Sequence, residues 1–313
     1  MSGICNFIYN KKYLNQNFKN YLRINISLYK YFFIENPEII KKKIKNLCYK
    51  RKIFGRIYIS NEGINIQASV LKKYFQVIKK NISSLHKDLK NIHINIGIDN
   101  SRISFNTLRI KVKKKIISDG LNSILLNKNF SNKYLNSKEV NNLLYNKEAV
   151  FIDMRNNYEH KIGHFKNAIL MNTSIFRIQL KKICNYINKY KKKKIVLYCT
   201  GGIRCEKTSL WIQSNGYKNV YQIRGGIIGY INDCIKKKNS INFIGKNFVF
   251  DLRLYETITK HILSNCNQCH RKSDYYVNCI NNNCNLLFIQ CELCSKIYKS
   301  FCSKKCYKEF HCR

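Results

Sequence analysis

The chain has 313 residues, 45% of them hydrophobic, enough apolar material for two core-bearing domains and a small third one. No stretch approaches eighteen uninterrupted apolar residues, and the opening Met1-Ser2-Gly3-Ile4-Cys5-Asn6 lacks a basic-then-apolar leader, so the expectation is a cytoplasmic protein with no membrane partner. The fifteen cysteines then point to metal binding or thiol chemistry in a reducing compartment, not to a disulfide scaffold.

The formal charge of +41 invites a nucleic-acid reading, but 46 of the 58 basic residues are Lys in a chain saturated with Asn, Ile and Tyr. A/T-rich codons produce that composition on any solvated surface, so charge alone is a modest argument for RNA. An Arg that persists against such drift marks a place where its planar five-donor fork is needed. Arg155, Arg204, Arg224 and Arg253 fall in segments singled out below.

Residues 22–98 read as strand, helix, strand, strand, helix, strand. Leu22 to Ile34 is rich in Ile, Tyr and Phe with partial alternation, and Pro37 opens a helix with apolar residues at Ile40, Ile44, Leu47 and Cys48. Gly55–Ser60 and Ile64–Ala68 alternate as strands around the turn Asn61-Glu62-Gly63. Leu71 to Ile82 has helical spacing, and His93–Ile98 closes the set as a strand. The order is that of a ferredoxin-like (acylphosphatase-like) α+β domain over residues 1–98, a fold too widely used to name a function. Residues 99–136 are basic, with Arg109, Lys111, Lys113, Lys114 and Lys115 among Ile and Val. They read as a basic linker or edge strand, with a phosphate-tracking strip as the alternative.

Strands and helices alternate over residues 137–240, giving an α/β domain with a parallel sheet. Ser137 caps its first helix; Val150–Asp153, Ile195–Tyr198 and Val220–Ile223 are its buried strands. After Tyr198 comes the loop Cys199-Thr200-Gly201-Gly202-Ile203-Arg204-Cys205. Gly201 and Gly202 let the backbone curl so that successive N–H groups, with the following helix N-terminus, form an anion cradle. A cysteine at its mouth has a depressed pKa and reacts as the thiolate, and Arg204 adds positive charge. Four residues separate Cys199 from Arg204, one fewer than in cysteine phosphatases, so the cradle suits a persulfide sulfur better than a phosphate. Cys205 reads as a small buried hydrophobe or as a thiol that resolves an oxidised Cys199.

These residues resemble the rhodanese family. Asp153-Met154-Arg155-Asn156-Asn157-Tyr158-Glu159, Gly163-His164-Phe165-Lys166-Asn167-Ala168 and Gly225-Gly226-Ile227 are similar to further segments of it. The resemblance implies that Cys199 carries the chemistry while Asp153, Arg155 and Glu159 organise the loop's surroundings. A surface ion network is the plainer reading of those three.

Residues 241–313 form a Cys-rich region holding nine cysteines: Cys266 and Cys269, Cys279 and Cys284, Cys291 and Cys294, Cys302 and Cys306, then Cys312. Short-spaced pairs present two thiolates to one tetrahedral ion, Zn²⁺ most commonly, and four pairs fill two all-cysteine sites with pairing undetermined. Cys312, His270 and His311 are spares, and an iron–sulfur cluster is the alternative.

The three-part order resembles the bacterial tRNA uridine hydroxylase family. Matching strings are Gly55-Arg56-Ile57-Tyr58-Ile59-Ser60-Asn61-Glu62-Gly63-Ile64-Asn65, Tyr198 through Lys207, Phe243 through Asp251, and Leu286 through Cys291. The resemblance spans about residue 5 to residue 306 and implies oxygen-dependent hydroxylation at C5 of the wobble uridine, position 34 of tRNA. Molecular oxygen is then a co-substrate and tRNA the partner. No facial triad for iron and no flavin or nucleotide fingerprint stands out. One route is addition of a Cys199 thiolate or persulfide to the uracil ring, activating C5. A persulfide sulfurtransferase serving tRNA thiolation and a non-catalytic zinc-bearing RNA adaptor are the competing readings; an activated thiol counts against the adaptor.

Overall fold

The computed structural model describes residues 22–121, 132–171, 173 and 175–311; residues 1–6 and Cys312 discussed above lie outside them. In β1 (Arg23–Tyr31), Ile24, Ile26 and Leu28 alternate inward. They meet Ile40, Ile44 and Cys48 of α1 (Pro37–Lys50), whose first turn is capped by the Asn36 side chain just ahead of Pro37. β2 (Phe54–Ser60), β3 (Gly63–Leu71), α2 (Phe75–Ser83) and β4 (Asn95–Ile96) complete a sheet ordered β4-β1-β3-β2, the split arrangement expected.

Two expectations needed correction here. The helix read from Leu71 starts later, because Val70 and Leu71 pair with Ile24 and Arg23 as the end of β3. The last strand pairs only at Asn95 and Ile96. Of the two readings of the basic stretch, edge strand is the one the structure shows: β5 (Leu108–Val112) joins the β2 edge in parallel, and β6 (Lys133–Leu135) begins the next sheet.

That second sheet is parallel throughout, ordered β6-β11-β10-β7-β9, with β7 (Ala149–Asp153), β9 (Ile169–Leu170), β10 (Lys194–Tyr198) and β11 (Val220–Ile223). Its first helix, α3 (Ser137–Leu144), is capped one residue earlier than expected. The Asn136 side chain accepts from Lys138 and Glu139 N–H groups, and Glu139 returns a bond to the Asn136 N–H. With Asn and Ser adjacent, that reciprocal box selects Asn136. Between β7 and β9 run α4 (Asn157–Ile162) and β8 (Gly163–Phe165). One face of the sheet is covered by α5 (Phe176–Ile187) and α6 (Ile203–Ser214), the other by α7 (Gly226–Lys237) through Ile227, Tyr230 and Ile231.

β12 (Phe243–Phe248) pairs with β8 on one side and β13 (Tyr255–Thr257) on the other, so the third region is sewn to the second by main-chain bonds. A hairpin of β14 (Tyr276–Asn278) and β15 (Leu287–Ile289) follows, then α8 (Glu292–Tyr298) and α9 (Lys304–His311). No helix among the described residues is long and apolar enough to cross a membrane.

Candidate active site

Cys199 leaves the C-terminal end of β10 and is fully buried. Its carbonyl accepts the Ile227 N–H at 2.9 Å and the Thr200 carbonyl accepts the Ile228 N–H at 3.2 Å, so the loop is laced to the start of α7. The lacing requires glycine at 226, where φ is +64° and a Cβ would stand 2.4 Å from the Cys199 oxygen. Gly202, at φ +103°, turns its N–H onto Cys199 Sγ at 3.1 Å. Gly201 is different from the sequence expectation: its φ is not positive, and a Cβ there would meet nothing closer than 3.8 Å. One glycine of the pair makes the curl.

Burial pushes the Cys199 thiol up, but hydrogen bonds from the Cys205 side chain and the Cys205 and Gly202 N–H groups, with the Arg204 charge, outweigh it and bring the thiol down to about 6. Cys205 is also buried, and burial together with the neighbouring Cys199 pushes its thiol well above the ordinary value. The two shifts run in opposite directions, which makes Cys199 the more acidic thiol of the pair.

Arg204 does not stand as a free cation. Its guanidinium forks onto Glu159 at 2.6 and 2.8 Å, and the Glu159 Oε1 also accepts the Asn156 N–H at 2.9 Å. Arg155 forks onto Asp153, which further holds His160 Nδ1 at 2.8 Å. Burial pushes the Asp153 carboxyl up, yet Arg155 and His160 together hold it well below the usual carboxylate range. Asp153, Arg155 and Glu159 have no exposed side-chain surface, which overturns the surface-network reading. Buried pairs of this kind fix geometry, because removing either partner strands a charge at a cost of about 3–5 kcal/mol.

A cavity of about 290 Å³ opens beside Cys199. Its walls come from three parts of the chain: Asn25, Ser27, Tyr29, Asn65 and Gln67 of the first sheet, Thr200 and Arg204 of the loop, and Phe250, Asp251 and Arg253 after β12. Arg253 is paired as well, with Asp251 at 2.6 Å and Glu256 at 2.8 Å, and donates to the Asp99 carbonyl at 2.5 Å. Arg224, the remaining singled-out arginine, lies over the Tyr134 ring and outside this lining.

Sequence reading missed the clamp that holds the first sheet against the loop. Lys207, fully buried, reaches Glu62 at 2.5 Å and Asp119 at 3.0 Å, and Glu62 also accepts the Ile116 N–H. Glu62 had passed as a turn residue. No local signal marked the pair: Lys207 follows Arg204 and Glu206 in a charged helix start, and Glu62 sits in a polar turn.

The tail cysteines gather into two sets, Cys266, Cys269, Cys291 and Cys294, and Cys279, Cys284, Cys302 and Cys306, each with all sulfurs within 4.8 Å of one another. The pairs interleave, first with third and second with fourth. Individual S–S separations of 3.5 Å (Cys269 to Cys291), 3.5 Å (Cys279 to Cys306) and 3.7 Å (Cys284 to Cys302) match the roughly 3.8 Å edge of a tetrahedron with Zn–S bonds near 2.3 Å. Either set can hold a metal ion; His270 and His311 stand outside both.

A parallel α/β sheet presenting a thiolate in a short Cys-to-Arg loop defines a rhodanese-type protein. Residues 136–233 match the rhodanese-like domain, residues 23–116 the UPF0176 acylphosphatase like domain, and residues 244–307 the rhodanase C-terminal model. The tRNA uridine(34) hydroxylase of Buchnera aphidicola subsp. Acyrthosiphon pisum (strain APS) is 46% identical over 310 residues, 98% of this chain and 95% of the relative. The protein of the same name from Escherichia coli O81 (strain ED1a) is 42% identical over 284 residues, 91% of this chain and 81% of that one. This chain belongs to the tRNA uridine(34) hydroxylase family.

Proposed function

We propose that this chain hydroxylates the wobble uridine, position 34, of tRNA at C5, with molecular oxygen as co-substrate and Cys199 as the reactive group. The observation that carries this is a buried cysteine sulfur, held by the Gly202 N–H, facing a cavity whose two arginines are both ion-paired. Such a cavity suits an uncharged base and rejects a free phosphate. In our reading the thiolate adds at C6 of the ring, forming an S–C6 bond and moving an electron pair toward C5. C5 then takes one oxygen atom, and loss of the C5 proton expels the thiolate. The second oxygen atom leaves as water, with two electrons and two protons from an external donor. Cys205 holds the proton facing Cys199, and Asp153, Arg155, Glu159, Gly202 and Arg204 position the loop. A cytoplasmic site of action follows from this reading, because tRNA is the substrate.

Mass spectrometry of tRNA nucleosides from a host lacking the gene, with and without this copy, tests the reading. Gain of 5-hydroxyuridine supports it. Gain of a thiolated base instead supports persulfide transfer, the reading that the tight Cys-to-Arg loop favours next. Because the thiol sits near 6, the rate of 5-hydroxyuridine formation rises about tenfold per pH unit below that value and levels off above about pH 7. A rate flat from about pH 5 to pH 8 contradicts thiolate chemistry.

We assign a structural Zn²⁺ to each four-cysteine set. Metal analysis should find two zinc ions per chain; a brown, iron-loaded protein overturns the assignment. Stripping the metal removes the main support of residues 264–306, because binding energy at such sites is folding energy, on the order of 10 kcal/mol. Chelator-treated protein should be cut by protease within that region while the parallel sheet stays intact.

A further inference from the structure

The first sheet has two unlike faces. Ile24, Ile26, Ile57, Ile64 and Ile66 turn to the helices, and the opposite face looks toward the Cys199 loop. Register aligns that open face into cross-strand rows. Ser27 lies opposite Gln67, Gln67 opposite Arg56, and Arg56 opposite Arg109. One step along, Tyr29, Asn65, Tyr58 and Lys111 form a second row. Each row crosses three strand spacings, roughly 14 Å, from beside the cysteine loop to the basic edge.

Charge changes along the rows. Gln67 and Asn65 line the Cys199 cavity and also a groove of about 630 Å³ with Arg56, Tyr58 and Lys113. Arg56 and Arg109 line a second groove of about 490 Å³. Phe250 lines the cavity and both grooves, standing where they meet. The cavity holds no unpaired guanidinium, while Arg56 and Arg109 face each other with no carboxylate partner among the described residues. In a chain drifted toward Lys, two arginines in register point to bidentate phosphate contact. The side-chain amides of Asn65 and Gln67 are half-buried and bond to no other described residue. Each offers a donor beside an acceptor, the complement of the N–H and carbonyl edge of uracil.

We propose that this open sheet face reads the substrate strand: Asn65 and Gln67 hydrogen-bond the edge of the uracil presented to Cys199, and Arg56 and Arg109 hold phosphates of the same strand. This rests on the reading that the substrate is a tRNA uridine. Single-stranded loop nucleotides splay out at low cost, and a sheet with neutral and cationic zones can separate base from backbone. Phe250 gives the departing base an aromatic surface at the turn.

The test measures tRNA binding as a function of salt and hydroxylation in single turnover, on full-length chains. Arg56→Ala/Arg109→Ala should weaken tRNA binding at least about tenfold and flatten the log–log salt slope by roughly 1.4, two single-strand phosphate contacts. Lys191→Ala/Lys192→Ala, at the far end of the parallel sheet, carries the same charge loss and should leave the slope within a few tenths of wild type. Asn65→Leu/Gln67→Met keeps side-chain shape and should cut the binding preference for a U34 over a C34 anticodon stem-loop by about ten- to a hundredfold, with the melting curve unchanged. Equal salt slopes for the arginine and lysine variants overturn the inference, and so does a retained U34 preference in the amide variant. If wild-type protein makes no 5-hydroxyuridine, the functional reading fails instead, which the nucleoside analysis reports separately.

Discussion

Cys199→Ser should lose 5-hydroxyuridine formation by at least about a hundredfold while keeping its fold and its tRNA affinity. The loop presents the Gly202 N–H, the Cys205 thiol and a helix N-terminus to one atom. A serine oxygen accepts the same bonds, so stability should move by less than about 1 kcal/mol. What the hydroxyl cannot do is ionise near neutral pH, and its nucleophilicity falls accordingly. Single-turnover nucleoside analysis with matched melting curves checks this; full activity removes Cys199 from the mechanism. Cys205→Ala separates its two remaining roles in the same assay. Loss of the proton-holding thiol shifts the pH limb upward and preserves turnover at high pH, whereas a resolving thiol is needed at every pH.

The second large effect is on stability. Lys207→Met leaves Glu62 and Asp119 facing each other in a dry interface. Asp119 keeps Lys115 at 2.7 Å and the Leu121 N–H, but Glu62 keeps only the Ile116 N–H from its side-chain partners. Removing the cation should cost about 3–5 kcal/mol, a fall of roughly 10 °C in the melting midpoint. Adding Glu62→Gln to the same chain should recover part of the loss, since the stranded charge goes with it. A thermal double-mutant cycle measures the recovery. Strict additivity would mean that the clamp contributes nothing.

Much of this was legible in residue order. The alternation of β1 and β3 and the short apolar runs of β7, β10 and β11 are local signals, and the Cys-to-Arg spacing is a local signal of chemistry. The rest depends on distance along the chain. Glu62 and Lys207 are 145 positions apart, and no periodicity links them; yet they sit in two of the strings that carried the family resemblance. The cysteine pairs were visible but their partnership was not, because the β14–β15 hairpin and α8 decide which pair meets which. The capping shift from Ser137 to Asn136 is a contest between adjacent residues of similar preference, settled by the return bond from Glu139. Asp153 and Arg155 looked like surface residues because a buried ion pair and an exposed one have the same spelling.

The cavity is assembled from separately encoded pieces: the thiolate comes from one, the wall that faces it from another, the post at Phe250 from a third. The reactive loop therefore does not by itself choose the molecule it is shown. Descent could have readdressed the same sulfur to a new molecule by exchanging or reshaping the front sheet, with no change between residues 199 and 205. In this architecture the choice of target and the reactivity that acts on it are free to evolve at different rates.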